Sequence, residues 1–204
     1  MPKSVKIRSR AVLAALLAVS CGGGASRDAG QAALDVISTR TSIRAYQDRP
    51  VGADTVELLL RAAMSAPTAR NRQPWAFVVV DDKALLRELA DSLPYAQSAA
   101  AAPMAVVVCG VLTGSRGATN AGWWVQDAAV ASENLLLAAH AVGLGAVWTG
   151  VYSYEDRVRA VRSVLGLPGH VVPLNVIPIG YPAENPVPKQ KWDPAKVHRN
   201  GWTE

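Results

Sequence analysis

The chain has 204 residues, half of them hydrophobic, with sixteen glycines and thirteen prolines, which sets the scale of one globular domain with an ordinary core. Its formal charge of +5 comes from scattered basic residues, and no Lys/Arg cluster interleaves with aromatics along one face, so nucleic acid is not an expected partner. His140, His170 and His198 lie far apart with no carboxylate or cysteine at ligand spacing, and no metal site is expected.

At the N-terminus, Lys3, Lys6, Arg8 and Arg10 precede the apolar run "AVLAALLAVS", which stops at "CGGGAS". The run is too short to span a bilayer and has the pattern of a secretory signal. Its end, "LLAVSC", resembles a bacterial lipobox, with Cys21 as the acylated residue and Ala18 where such boxes usually carry Leu. The expected organisation is a signal peptide over 1–20, a flexible tether over 21–30 and one domain over 31–204, anchored by lipid in the cell envelope. A misassigned start ahead of a cytoplasmic protein is the alternative. Cys109, inside "APMAVVVCG", is expected as a buried core thiol, and no disulfide is expected within the chain.

From Gln31 onward the pattern is regular. A helix is expected through "QAALDVIST", then an extended piece "RTSIRAY" and a turn at Asp48–Gly52. Asp54 with Glu57 reads as a capping box, ahead of a helical stripe of Val56, Leu59, Leu60, Ala63 and Met64 that Pro67 closes. A strand "AFVVV", a helix from "DDKALLRELA" and a strand "MAVVVCG" follow. The segment "WWVQDAAVASENLLLAAHAVGLG" is about five turns of helix, apolar on nearly every side, and is expected to be the buried central helix ended by Gly143 and Gly145. After it come a strand "AVWT", an amphipathic helix marked by Val158, Val161 and Leu165, and a strand "NVIPIGYP". The proline-rich, basic and aromatic remainder is too apolar for a disordered tail and is expected to wrap over something. Strands and helices alternate, but neither GxGxxG after the first strand nor GxxxxGK[ST] occurs, which disfavours the common Gly-rich nucleotide folds.

Four short pieces carry candidate chemistry. In "STRTSIRAYQDRP", Arg40, Ser42 and Arg44 alternate, so an extended chain points them to one side. Two guanidiniums flanking a hydroxyl suit a phosphate, and a solvated strand face is the plainer alternative. In "SAPTARNRQPWAFVVV", Asn71 and Gln73 offer amides that donate and accept, matching a heterocycle with N–H and C=O edges, while Pro74 stiffens their approach. Trp75 suits a core or lid position, or a stacking one. In "WTGVY", Gly150 lets backbone approach a flat ligand closely, and in "PKQK", Lys189 and Lys191 are cationic donors or merely solvated side chains.

The order of "R-T-S-I-R", "APTARNRQPWAF", the apolar helix, "GLGAVWTGVY" and "PIGYPAE…PKQKW" resembles that of the FMN-dependent nitroreductase family over about Ala33 to Trp202. The resemblance implies an α+β fold, a sheet flanked by helices, in an obligate homodimer that swaps terminal segments and holds two FMN molecules at its interface. It implies that Arg40, Ser42 and Arg44 contact the FMN phosphate and ribityl chain, with Lys191 and Lys189 closing on the phosphate. Pro67, Thr68, Ala69 and Asn71 correspond to the segment that the second subunit lays against the flavin, with Gln73 beside it. Thr149 and Gly150 would sit by the isoalloxazine ring, a backbone N–H near N5; many longer members carry Glu where this chain has Thr149. Trp123 and Trp124, at the start of the central helix, are candidates either for packing or for roofing the substrate pocket.

The implied activity is an oxidoreductase passing electrons from NAD(P)H through flavin N5 to an electron-poor acceptor such as a nitroaromatic or quinone, by a ping-pong scheme without a catalytic side chain. A different class also fits the N-terminal signal: a surface-anchored flavin-binding or electron-relay protein that does not use NAD(P)H.

Overall fold

The computed structural model describes residues 23–112 and 122–202, with side chains from Asp28 onward. The expected signal segment and Cys21 lie outside the described residues. The first helix, α1, spans Gly23–Thr39 rather than starting near Gln31, so positions 23–30, expected as tether, continue the helix.

The β-branched runs become the sheet, as side chains of that shape pack well on a pleated, buried surface. Strand β1 (Trp75–Val80) pairs antiparallel with β2 (Met104–Val111), which pairs antiparallel with β5 (Val171–Gly180). The expected strand "AVWT" is instead two short pieces on the other side of β5, β3 (Gly145–Ala146) and β4 (Thr149–Gly150). Proline explains part of this irregularity. Pro178 lends its carbonyl to Val147 N–H at 3.4 Å and to the Tyr46 hydroxyl at 3.2 Å but has no N–H to return. Pro173 sits where the β2–β5 register shifts, leaving Leu174 as an extra residue whose carbonyl accepts from Val151 and Tyr152 N–H, both at 3.0 Å.

Residues 104–110 of β2 and 172–180 of β5 are buried without a break, which requires cover on both faces. Two helical groups provide it. Helix α2 (Ala53–Met64) packs on α5 (Trp123–Ala141), and α5 lies against β1, β2 and β5. Helices α3 (Lys83–Ser92), α4 (Gln97–Ala101) and α6 (Glu155–Leu165) form the other group, against β2 and β5. Helix α3 starts where Asp82 accepts from Ala84 N–H at 2.7 Å and Leu85 N–H at 3.0 Å, and these two bonds hold its carboxyl below the usual range. Cys109 is a buried thiol in the core, its pKa pushed up to about 12 by desolvation.

Three expectations are corrected. Helix α2 has no capping box: Gly52 is its N-cap, Asp54 lies inside the first turn, and Glu57 pairs with Arg61 at 2.6 Å instead. Helix α5 is central but not buried all round, since Trp124, Ala128, Ala131, Leu135 and Ala139 face the core while Trp123 is 54% exposed and Val130 points outward. Gly143, at φ +78°, does end α5, whereas Gly145 belongs to β3, where a Cβ would lie 2.6 Å from the side chain of Ile43. That contact lets the Arg40–Arg44 segment lie down on the sheet. Among the described residues no helix is long and apolar enough to cross a membrane.

Candidate active site

The segment after α1 is extended, and its alternation is only partial, because Thr41 shares the open side with Arg40 and Ser42. Ile43 turns into the core against Gly145, while Arg40, Ser42 and Arg44 face a cavity of about 700 Å³. Ser42 bridges to Ala146, and Ile43 N–H donates to the Ala146 carbonyl at 3.1 Å, so the segment is an irregular addition to the sheet edge.

The other wall of the cavity comes from the far end of the chain. Beyond β5 the chain turns back along the 43–49 segment: Gln47 N–H donates to Tyr181 O at 2.8 Å, Ala183 N–H to Ala45 O at 2.9 Å, and Arg49 lies 3.6 Å over the Tyr181 ring. Glu184 completes the seam, as its Oε1 accepts from the backbone N–H groups of both Arg44 and Ala45. Those bonds, the Arg44 one first, hold its carboxyl below the usual range, so near neutral pH it is a charged clamp. The seam delivers Lys189, Gln190, Lys191 and Trp192 to the cavity opposite Arg40 and Arg44. Arg40 is steadied from α5, its Nε lying 3.4 Å from Glu133 Oε1, and Thr39 Oγ1 is 2.9 Å from His140 Nε2. Burial, then the Arg40 charge, lowers the His140 pKa and favours the neutral ring.

The structure thus brings Arg40, Ser42, Arg44, Lys189 and Lys191 into one cavity, but Pro67, Thr68, Ala69, Asn71, Gln73, Thr149 and Gly150 do not line it. Residues 67–73 form a separate knot ahead of β1. Asn71 N–H donates to Thr68 O at 3.0 Å, Gln73 N–H to Thr68 Oγ1 at 3.1 Å, and Gln73 Nε2 to Asn71 Oδ1 at 3.1 Å. Arg70, Asn71 and Gln73 have φ of 57°, 51° and 50°, the left-handed region that side chains other than Asn and Asp rarely visit. Asn71 and Gln73 are exposed, and their amides hold each other.

Thr149 is buried in the sheet, and Gly150, next to it in β4, is half-buried and pairs with Asn175 of β5. The Gly150 carbonyl accepts from Arg157 Nη1 at 3.2 Å, and Arg157 in turn lies 3.9 Å over the Tyr154 ring. The two tryptophans divide: Trp124 is 3% exposed, meets Tyr152 edge-on at 4.8 Å between ring centroids and lies on Gly110, whereas Trp123 stands in solvent. Trp75 is half-buried at the start of β1, with its ring 6.4 Å from that of Phe77.

Three acidic side chains escaped the sequence reading: Glu133, Glu184 and Asp127.

The nitroreductase family profile matches residues 37–116 and 90–181. A Methanothermobacter thermautotrophicus protein, provisionally named as an NADH dehydrogenase/NAD(P)H nitroreductase, is 46% identical over 169 residues, covering 83% of this chain and 87% of that one. A Parabacteroides distasonis crystal structure with the same provisional name superposes with a TM-score of 0.78 at 46% identity, over 83% of this chain and 98% of that one. The FMN-dependent nitroreductase of Clostridium difficile superposes at 0.76 with 28% identity, over 83% and 99% of the two chains. The helix-flanked antiparallel sheet, the matches across the edge segment and β5, and relatives aligned along four-fifths of the sequence agree: the chain belongs to the nitroreductase family.

Proposed function

We propose that the protein is an FMN-dependent oxidoreductase that takes electrons from NAD(P)H and passes them to a small electron-poor acceptor, such as a nitroaromatic or a quinone, in a ping-pong cycle. The observation that carries this reading is the cavity between the two ends of the chain. Its wall collects two guanidiniums, two ammonium groups and the hydroxyls of Ser38, Thr41 and Ser42, a donor set that suits a phosphate monoester, and about 700 Å³ is roomy for one. Glu184 adds one negative charge to this wall, but its Oε1 is turned to the backbone N–H groups of Arg44 and Ala45, and the four cations outnumber it.

Arg40, Ser42, Arg44, Lys189 and Lys191 hold the phosphate and the adjoining ribityl chain, and Thr149 and Gly150 lie beside the ring. Bound FMN supplies the two-electron chemistry at N5. The chain's residues bind and orient the cofactor and place positive charge where negative charge gathers. No side chain is needed as nucleophile or general base.

Pro67–Gln73 reaches the flavin of the other subunit of a homodimer that exchanges its terminal segments. Supporting this are the apolar residues those segments leave uncovered in the protomer: Leu34 and Ile37 of α1, 60% and 59% exposed and three apart on one helical face, and Val187, Trp192 and Trp202 near the other end. The Cys21 motif favours a second reading, a lipid-anchored electron relay that does not use NAD(P)H.

One experiment separates the two. Protein lacking residues before Gly24 is purified, its absorption spectrum recorded, and NADPH and then NADH added under argon. Paired flavin bands that bleach with either nucleotide are expected. Bands that ignore both nucleotides but bleach with dithionite would favour the relay, and a colourless protein that takes up no FMN would contradict both.

A further inference from the structure

Asp127 is the fifth residue of α5, on the face turned to the core, and is 5% exposed. Its Oδ1 accepts from Ala69 N–H at 2.9 Å, while its Oδ2 is buried without a hydrogen-bond partner among the described residues. A carboxylate oxygen withheld from water and left unpaired costs stability. A neutral side chain would fill this place on α5 at lower cost, so packing alone does not account for an acid here.

The loop it meets does account for one. Residues 67–73 carry left-handed φ at Arg70, Asn71 and Gln73, none of them glycine, and such a conformation persists only where the surroundings over-determine it. The bonds among Thr68, Asn71 and Gln73 tie the loop to itself, whereas the Ala69–Asp127 bond ties it to the central helix. A charge-assisted bond is about twice as strong as a neutral one.

We propose that Asp127 is a positioning residue for cofactor binding: its carboxylate fixes Ala69, and through it the Pro67–Gln73 loop, in the conformation in which Ala69 and Asn71 meet the flavin. The residue acts through the loop and does not itself touch the flavin. The inference rests on the FMN reading given above.

The test compares wild type, Asp127→Ala and Asp127→Asn by FMN titration of the purified dimer and by amide hydrogen exchange resolved along the chain. Asp127→Ala is expected to raise the FMN dissociation constant tenfold or more and to speed exchange at 68–73, leaving β1, β2 and the rest of α5 at wild-type rates. Asp127→Asn, which keeps an oxygen acceptor without the charge, is expected to fall between the two, with at least threefold weaker FMN binding. FMN affinity within twofold of wild type in Asp127→Ala would overturn the proposal, as would exchange that rises equally throughout the sheet and α5. If Asp127→Ala is insoluble, wild-type affinity and exchange in Asp127→Asn would overturn it. A wild-type protein that binds no FMN would instead sink the flavin reading, whatever the variants do.

Discussion

Arg40→Ala combined with Arg44→Ala is expected to give soluble, folded protein that purifies without colour. Both side chains face the cavity rather than the core, and the residue between them, Ile43, makes the packing contact with Gly145, so removing two guanidiniums leaves the sheet edge intact. Hydrogen bonds to charged groups contribute about 1.5–3 kcal/mol each, so the pair removes about 3–6 kcal/mol of FMN binding. That is roughly a hundredfold to ten-thousandfold in affinity, enough to lose the cofactor during purification. Arg40→Ala also frees Glu133 from its partner 3.4 Å away, adding an uncompensated negative charge beside the cavity. Equal flavin content in wild type and double variant, by absorption of the denatured protein, would refute the phosphate assignment.

Trp124→Ala is expected to cause the largest loss of stability among single changes near the site, about 3–5 kcal/mol, the range for removing a large buried aromatic side chain. The indole lies on Gly110 of β2, where a Cβ would come within 2.2 Å of the ring, and meets Tyr152 edge-on. Its deletion leaves a hole between α5 and the sheet that Gly110, lacking a side chain, cannot fill. Tyr152 follows Gly150 by two residues, so the effect should reach the β4 segment as well as the fold. Denaturant unfolding measures the loss directly, and a change below about 1 kcal/mol would mean that the Trp124 contacts are not what holds α5 to β2.

What could be read in advance follows from which signals are local. Val78–Val80 and Val106–Val108 announced strands because β-branched runs behave alike in most settings, and the period of two in extended chain put Arg40, Ser42 and Arg44 on one side, although Thr41 joins them there. The capping box failed because side-chain spacing does not fix where a helix begins: α2 takes Gly52 as its N-cap, two residues too early for Asp54, and Glu57 finds Arg61 instead. Lys189 and Lys191 stood out in the sequence as cationic donors or solvated side chains, and only the family resemblance gave them to the phosphate. Their approach to Arg40 depends on the seam from Tyr181 to Glu184, whose partners lie more than a hundred residues earlier. Asp127 was illegible for the same reason, since nothing around it in sequence shows that Ala69 is its partner. The left-handed φ of Arg70 and Gln73 runs against the preferences of both residue types and is imposed by the tertiary structure.

The separation of Pro67–Gln73 from the cavity is the feature on which the proposed two-subunit site turns. Mixed dimers test it most directly, pairing a chain carrying Arg40→Ala and Arg44→Ala with a chain carrying Asn71→Trp, whose bulk fills the surface offered to the flavin. The two chains carry different affinity tags, and each variant is first shown to be colourless as its own homodimer. If each site takes its cations from one chain and its loop from the other, one site in every mixed dimer is wild type throughout, and one FMN per dimer is predicted. If each chain builds its own site, both sites carry a defect, and a mixed dimer without flavin would contradict the account.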